Sequence, residues 1–329
     1  MKSYIKLFAL FAGLLVLIPA LAFYFGKGES AAPADAPVRI SDAESVKMLD
    51  TETGAVTELS MRDYLIGSVF AQMPAEFEPE ALKAQAVLAH TYILKRRLQE
   101  QASPDATLSG ADFSTDSTRY QAFFTESYAK EFYGDSYAAN FDKIAAAVDA
   151  VPGKICTYDG ALITVAFHAI SCGVTESAAY AWGIQIPYLV SVDSASDTTV
   201  TGCTKTVSFT AEEVKARLTQ GFDHLTFSGE PAHWLEIAEK SPAGTVLTVA
   251  AGDSKTPLNA NAFAVCLNLP SQHFSVAYAD EKFTFTVMGS GHQVGMSQYG
   301  AEAMAQQGDD FQKILTHYFT GITVADATD

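Results

Sequence analysis

The chain has 329 residues and a formal net charge of −17, with Asp and Glu scattered along it rather than in blocks. Such a surface repels nucleic acid and anionic lipid headgroups, so a nucleic-acid partner is disfavoured. The sequence shows no internal repeat of the length that builds solenoids or propellers, and its size suits one large domain or two intimate ones.

The first segment predicts a membrane anchor. Lys2 and Lys6 precede an apolar run at residues 7–25, and these 19 residues are enough to span a bilayer. A cleaved signal peptide is the alternative, because residues 20–22 (Ala-Leu-Ala) resemble a small-residue cleavage site. The run continues through the aromatic residues 23–25, which belong in a membrane interface, so we favour an uncleaved signal anchor.

The chain therefore divides into four predicted parts. Residues 1–27 form the cytoplasmic N-terminus and the transmembrane anchor, because the positive residues at the front stay in the cytoplasm. Residues 28–37 have almost nothing to bury and form a flexible linker. Residues 38–325 form a domain outside the cytoplasm, and residues 326–329 are a tail.

The most informative stretch is residues 64–97, YLIGSVFAQMPAEFEPEALKAQAVLAHTYILKRR. A first helix ends before Pro74, and a second begins at Pro79, since proline breaks a helix interior but suits its first position. The basic residues 95–97 are expected to close the second helix at the negative end of its dipole. Gln72 lies between the two helices among apolar neighbours, as a polar residue in a packed core also would.

Strands dominate the middle of the chain. The hairpin signal Asp159-Gly160 separates two of them, whereas Thr210 with Glu213 forms a capping box and Asp309 begins a terminal helix. Helices in the first half and at the end, with strands between them, predict an α+β fold with mostly antiparallel strands. The predicted strands are residues 155–158, 162–167, 188–192, 246–250, 263–267, 274–278 and 283–287.

Two further segments combine polar residues with glycine. In residues 166–183, AFHAISCGVTESAAYAWG, polar side chains and a tryptophan follow a predicted strand. Residues 289–301, GSGHQVGMSQYGA, place Ser297 as a helix N-cap after closely spaced glycines. Glycines let a backbone approach a ligand, and an open helix N-terminus offers amide donors.

All three segments resemble the signature of the stage II sporulation protein D family (the SpoIID/LytB domain). That family shows a tyrosine and glycine, an acidic residue before Met-Pro, then EALKAQA and Thr-Tyr. It continues with FHSTSGG-x-TE…WG and then GHGVGMSQYGA. The matches follow the family's order from about residue 39 to residue 324. The resemblance implies the family fold, with two intimate subdomains around a glycan groove.

The resemblance also implies a peptidoglycan lytic transglycosylase that acts on glycan strands stripped of stem peptides during spore engulfment. One protonated carboxyl group gives its proton to the glycosidic oxygen, then takes a proton from the muramic acid 6-hydroxyl, which closes an anhydro ring. The implied location is the intermembrane space of the sporulating cell. The implied groove residues are His168, Ser171, Glu176, Trp182, His292, Ser297 and Gln298.

The sequence departs from the family pattern at the catalytic position. Gln72 stands where the family has its glutamate, and an amide cannot deliver or accept the proton. Three interpretations remain open. The chain is an inactive or weakened member that still binds glycan, or Glu76 or Glu80 acts as the acid in place of residue 72. In the third, part of the family uses different chemistry. His90 replaces a family arginine, which removes a permanent charge and its bidentate hydrogen bonds.

No metal or other cofactor is predicted. Some clostridial members of the family carry a zinc site made by a Cys-x4-His-Cys run, and the matching stretch here is residues 114–120, STDSTRY. Serine, arginine and tyrosine are poor zinc ligands, and His168 with Cys172 would supply only two. Cys172 and Cys203 lie in loop-like sequence and are the only pair that we consider for a disulfide; Cys156 and Cys266 read as buried strand residues.

The expected partners are peptidoglycan glycan strands, the membrane through the N-terminal helix, and other engulfment proteins such as an amidase. A second function from a different class stays open. It is a non-catalytic protein that binds glycan or regulates an amidase, as the related amidase-enhancer members of the family do.

Overall fold

A computed structural model describes residues 45–327. The predicted anchor, residues 7–25, lies outside that range, and none of the described helices has the length and hydropathy of a membrane span. The helices are α1 Met61–Gln72, α2 Pro79–Ala102, α3 Glu126–Tyr133, α4 Tyr137–Asp149, α5 Ala178–Trp182, α6 Ala211–Gly221, α7 Ala260–Leu267, α8 Gln298–Gln306 and α9 Phe311–Tyr318.

The strands are short and mostly paired antiparallel, which confirms the predicted α+β fold. They are β1 Ser45–Leu49, β2 Val56–Ser60, β3 Phe113–Ser114, β4 Lys154–Tyr158, β5 Ala161–Leu162, β6 Phe167–His168, β7 Thr204–Thr210, β8 Leu235–Lys240, β9 Val246–Ala251, β10 Thr256–Asn259, β11 Phe274–Ala279, β12 Lys282–Met288, β13 Met296–Ser297 and β14 Thr323–Asp326.

The described chain forms two compact units. The helical unit comprises residues 45–166 and 301–327, and the sheet unit comprises residues 167–300. In the helical unit, α2 packs against α1, α4, α9 and β4. Fully buried side chains such as Leu82 and Leu88 place α2 at the centre of this unit. Its sheets have the strand orders β2-β1-β3 and β14-β4-β5.

In the sheet unit, two three-stranded sheets have the orders β10-β9-β8 and β11-β12-β7. Their core contains Phe263, Phe274 and Phe285, whose ring centroids lie 5.8 to 6.1 Å apart. Outside these sheets, β6 pairs in parallel with β13, with His168 opposite Ser297 in the register. This pairing joins the second and third sequence motifs.

The helix boundaries follow from local chemistry. The Ser60 hydroxyl caps α1 by accepting from the Asp63 amide, and Pro79 occupies the first turn of α2. The predicted end of α2 at residues 95–97 is wrong, because the helix continues to Ala102. Good helix formers follow the basic run, and an Arg96–Glu100 ion pair spans the added turn.

Two predicted strands are wrong. Residues 263–267 belong to helix α7, whose N-cap Asn259 accepts from the amides of Asn261 and Ala262. Cys266 is therefore a helical residue. Residues 188–192 begin in a turn, where the Leu189 amide donates to the Ile186 carbonyl, and they are not part of a strand. The predicted strand 162–167 is interrupted at residues 163–166. A short apolar run alone does not distinguish a buried helix from a strand, which explains the error at residues 263–267.

Candidate functional site

Gln72 is the last residue of α1 and is only 6% exposed. Its side-chain oxygen accepts a 2.7 Å hydrogen bond from Nε2 of Gln85, a fully buried residue of α2. Its Nε2 donates to the Ala122 carbonyl at 2.9 Å and to Gln121 Oε1 at 3.4 Å. A side chain at position 72 therefore meets a hydrogen-bond donor, Gln85 Nε2, on one side and two acceptors, the Ala122 carbonyl and Gln121 Oε1, on the other. We call these groups the Gln72 frame.

This frame decides which groups fit at position 72. An amide matches it, and so does a protonated carboxyl group, because each has one acceptor and one donor oriented apart. An ionised carboxylate would instead place negative charge against the Ala122 carbonyl, in a buried setting beside Phe70 and Met73. Both burial and that carbonyl would raise the pKa of a carboxyl group here. The frame therefore fits a neutral side chain with one donor and one acceptor, and Gln72 is such a side chain.

The two alternative acids have different surroundings. Glu76 is exposed in the turn after α1. Glu80 is half-buried in the first turn of α2, where one carboxylate oxygen accepts from Lys83 Nζ at 2.5 Å. Its other oxygen accepts from the Phe311 amide at 2.9 Å, at the start of α9. Glu80 therefore holds two helices together in the helical unit.

His90 and residues 114–120 also have structural partners. The His90 Nδ1–H donates to the Lys154 carbonyl at 2.9 Å, which ties α2 to β4. In residues 114–120, Arg119 pairs with Asp105 at 2.7 Å and lies over the ring of Tyr120. Residues 45–327 contain no group of three or more Cys, His, Asp or Glu side chains placed to share a metal ion.

A second cluster of candidate residues lies in the sheet unit. The His168 Nδ1–H donates to the Val294 carbonyl at 3.2 Å. Its Nε2 is buried and has no hydrogen-bond partner among the described residues. Burial lowers the pKa of His168 to about 4, so the ring is neutral at physiological pH. The free lone pair on Nε2 can then accept a hydrogen bond.

His292 and Trp182 lie beside this histidine. The His292 ring centroid is 6.0 Å from that of His168 and 5.4 Å from that of Trp182, in an edge-to-face arrangement with the tryptophan. The Val294 amide donates to His292 Nδ1 at 3.0 Å, and burial lowers the His292 pKa to about 3. Both His292 and Trp182 keep part of their surface open to solvent. They are the members of the cluster that a ligand can reach.

Ser171 and Ser297 meet at a residue that the sequence reasoning missed. Asp197 Oδ2 accepts from the Ser171 amide at 2.7 Å, from Ser297 Oγ at 2.6 Å and from Ser194 Oγ at 3.2 Å. All four residues are buried, and burial raises the pKa of Asp197. Asp197 thus fixes the second motif to the third. An isolated Asp in a Ser- and Thr-rich loop gives no periodic signal that would have identified it.

Glu176 and Gln298 are buried as well. Glu176 Oε1 accepts from the Ser177 amide at 2.7 Å, and its Oε2 accepts from Ser241 Oγ at 2.5 Å. Ser177 caps α5, the helix that ends at Trp182, so Glu176 helps to hold the tryptophan in place. Gln298 is the first residue of α8, where Ser297 Oγ accepts from the Gly300 amide at 3.2 Å, as an N-cap does.

The cysteines are all unpaired in this structure. Cys172 donates to the Val174 carbonyl and Cys203 to the Ser171 carbonyl. Cys203 is buried, whereas Cys172 is half-buried beside the second motif.

Comparison with known proteins places these sites in a family. A family model described as stage II sporulation protein matches residues 49–158, which include Gln72 and Gln85. Over 283 residues, the chain is 34% identical to stage II sporulation protein D of Bacillus amyloliquefaciens, covering 86% of this chain and 79% of that protein. This chain belongs to the stage II sporulation protein D family.

Other relatives of the family are also similar to this chain. The stage II sporulation protein D of Bacillus subtilis has the same identity and coverage. A Bacillus subtilis protein named amidase enhancer is 28% identical over 313 residues, covering 79% of this chain but 40% of that protein.

Proposed function

We propose that this chain takes part in cell-wall remodelling during sporulation by binding peptidoglycan glycan strands, with strand cleavage strongly reduced or lost. Membership of the stage II sporulation protein D family and the similarity to an amidase enhancer support the cell-wall role. The Gln72 frame supports the reduced activity, because it fits a protonated carboxyl group as well as an amide, and the amide that occupies it cannot act as an acid.

The alternative acids are less suited to the chemistry. A general acid that works near neutral pH needs surroundings that favour its protonated form. Glu76 is exposed to water, and both carboxylate oxygens of Glu80 already accept hydrogen bonds, from Lys83 Nζ and from the Phe311 amide. Neither has the donor-and-acceptor frame that surrounds Gln72.

The sheet unit supplies groups suited to sugars. Trp182 presents an apolar ring face on which the C–H face of a sugar can pack. Beside it, His292 and the buried lone pair of His168 provide polar atoms for hydroxyl or N-acetyl groups. We further propose that residues 7–25 anchor the chain, with the glycan-binding part outside the cytoplasm.

Full-length protein in mild detergent, mixed with glycan strands freed of stem peptides, tests this proposal. We expect co-sedimentation with the strands and little release of anhydro-muramyl ends, measured by mass spectrometry. Efficient cleavage by the native protein that is abolished by Glu76→Gln or Glu80→Gln would show that a substitute acid operates.

A second function keeps specific support. The similarity to a protein named amidase enhancer favours a non-catalytic protein that binds glycan and stimulates an amidase. Adding the full-length chain to a purified cell-wall amidase and measuring the rate of stem-peptide release distinguishes this role from glycan binding alone.

A further inference from the structure

A continuous run of aromatic side chains crosses α3, α4 and the segment before them. Along α3, neighbouring ring centroids lie 4.6 to 6.3 Å apart. The Phe70 ring centroid lies 5.2 Å from that of Tyr133 in α3 and 5.8 Å from that of Tyr137 in α4, so Phe70 connects the rings of the two helices. We call this run the aromatic belt. It consists of Phe124, Tyr128, Phe132, Tyr133, Tyr137 and Phe141.

The belt is open to solvent along much of its length. Tyr128 is 44% exposed, which is unusual for a large ring on a helix that has an apolar face to bury. Phe132, Tyr137 and Phe141 are also only partly buried. Phe124 is buried, and its ring centroid lies 4.6 Å from that of Tyr128, edge-to-face, and 5.5 Å from that of Phe132, so these two rings pack against a fixed neighbour.

The belt is continuous with the Gln72 frame. The Tyr133 hydroxyl donates to the Phe70 carbonyl at 3.3 Å, two residues before Gln72. Lys143, on α4, donates to the Glu76 carbonyl at 2.8 Å, just after it. On the other side, the Ala122 carbonyl that accepts from Gln72 is followed by Phe124 of the belt. The belt therefore lies directly beside the Gln72 frame in the helical unit.

We propose that the aromatic belt binds successive sugars of a glycan strand on either side of the position at Gln72, an inference that rests on the proposed function. Tyrosine and phenylalanine offer flat apolar faces to sugar C–H groups, and the tyrosine hydroxyls add polar contacts at the edges. An anionic lipid surface is the competing ligand. Residues 126–143 carry Glu126, Glu131, Asp135 and Asp142 against Lys130 and Lys143, a net negative charge that repels lipid headgroups and the lactyl carboxylates of the strand alike, so glycan binding here must come from the ring faces.

The test measures the affinity of the full-length chain for glycan strands freed of stem peptides, with native and variant proteins compared. Tyr128→Ala removes one exposed ring and should weaken binding by about 2- to 12-fold, the range expected for one aromatic contact. The double variant Tyr128→Ala/Tyr137→Ala should weaken it by roughly tenfold or more. Tyr128→Phe/Tyr137→Phe keeps both ring faces and should retain most of the native affinity.

Tyr278→Ala is the matched control, because Tyr278 is a half-buried ring on β11 of the sheet unit, packed against Phe283. It should bind strands as the native protein does, and thermal unfolding shows that each variant is folded. If both alanine variants bind strands as tightly as the native protein does, the belt does not bind glycan, and the proposed function is unaffected.

A native chain that binds no strands overturns both proposals. If the alanine variants lose binding to phosphatidylglycerol vesicles but keep the native affinity for strands, the belt binds lipid instead of glycan. Equal loss in the alanine and phenylalanine variants would show that the hydroxyl groups, rather than stacking, carry the contact, and would contradict the belt as described.

Discussion

Gln72 differs from a glutamic acid by an NH2 group in place of an OH, and its neighbours are placed for either. The Gln85 amide donates to one side and the Ala122 carbonyl accepts on the other. The sequence predicts a functional role for position 72 from its place before Met-Pro. It could not identify Gln85 as the partner, because the contact joins two helices across a turn whose geometry no local pattern encodes.

Replacing Gln85 with methionine should destabilise the helical unit. The variant keeps the side-chain length but removes the donor to Gln72 Oε1 in a fully buried setting. Loss of a partner for a buried acceptor costs about 1–3 kcal/mol, which urea unfolding can measure. Gln101→Met, at an exposed site on the same helix, should change stability by less than about 0.5 kcal/mol. Equal stability of the two variants would contradict the account of the frame.

Two histidines of the sheet unit, His168 and His292, predict how stability depends on pH. The folded-state pKa values of His168 and His292 are about 4 and about 3, below the ordinary value of 6.5. Below pH 6.5 the unfolded chain therefore binds protons that the folded chain does not. The contribution of these groups to the free energy of unfolding is fully present above pH 6.5 and is lost as the pH falls below that value. Each histidine contributes at most about 1.4 kcal/mol per pH unit in that window.

Urea unfolding at pH 7 and pH 5 tests this pH dependence. His168→Gln removes one titrating group, so the loss of stability between the two pH values should be smaller than in the native protein. Other titrating groups, including the buried Asp197 with its raised pKa, are common to both proteins, so the difference between the two losses reports His168. An identical loss in the native and variant proteins would show that His168 is not buried in its neutral form.

At the scale of elements, helix starts were more predictable than helix ends or apolar runs. Pro79 and the Thr210–Glu213 capping box mark helix starts by local chemistry, and both are found in the structure. Residues 263–267 read equally well as a strand or a buried helix, and packing within the sheet unit selected the helix. The His168–Ser297 pairing joins residues that are far apart in the chain, so sequence pattern alone could not predict it.

Gly67 allows the segment at residues 121–124 to pack closely against α1. It lies inside α1, where alanine would normally add up to about 1 kcal/mol of stability. A Cβ at this position would lie 2.4 Å from the Phe123 ring and 2.5 Å from the Phe124 carbonyl. Gly67→Ala should therefore destabilise the protein by about 1–3 kcal/mol and displace the segment that holds Gln72.

Gly229→Ala is the control for Gly67, because a Cβ there meets only Asp253 at an ordinary 3.6 Å. Thermal unfolding of both variants provides the comparison. An increase in stability on Gly67→Ala would mean that the segment at residues 121–124 does not pack against α1 as described.

At the scale of the whole molecule, the N-terminal segment decides where the protein works. The aromatic residues directly after the apolar run predict that residues 7–25 are retained. Intact-mass measurement of protein isolated from its native membrane should therefore give the full chain. A mature N-terminus at Phe23 would show that the segment is a cleaved signal peptide.

The central claim is that the fold keeps a proton-donor position from which only the proton has been lost. Gln72→Glu tests it directly, through the release of anhydro-muramyl ends from strands freed of stem peptides. We predict that the variant cleaves strands about 100- to 10,000-fold faster than the native protein, the usual contribution of general acid–base catalysis. A variant that binds strands as the native protein does but releases no more anhydro ends would contradict the claim.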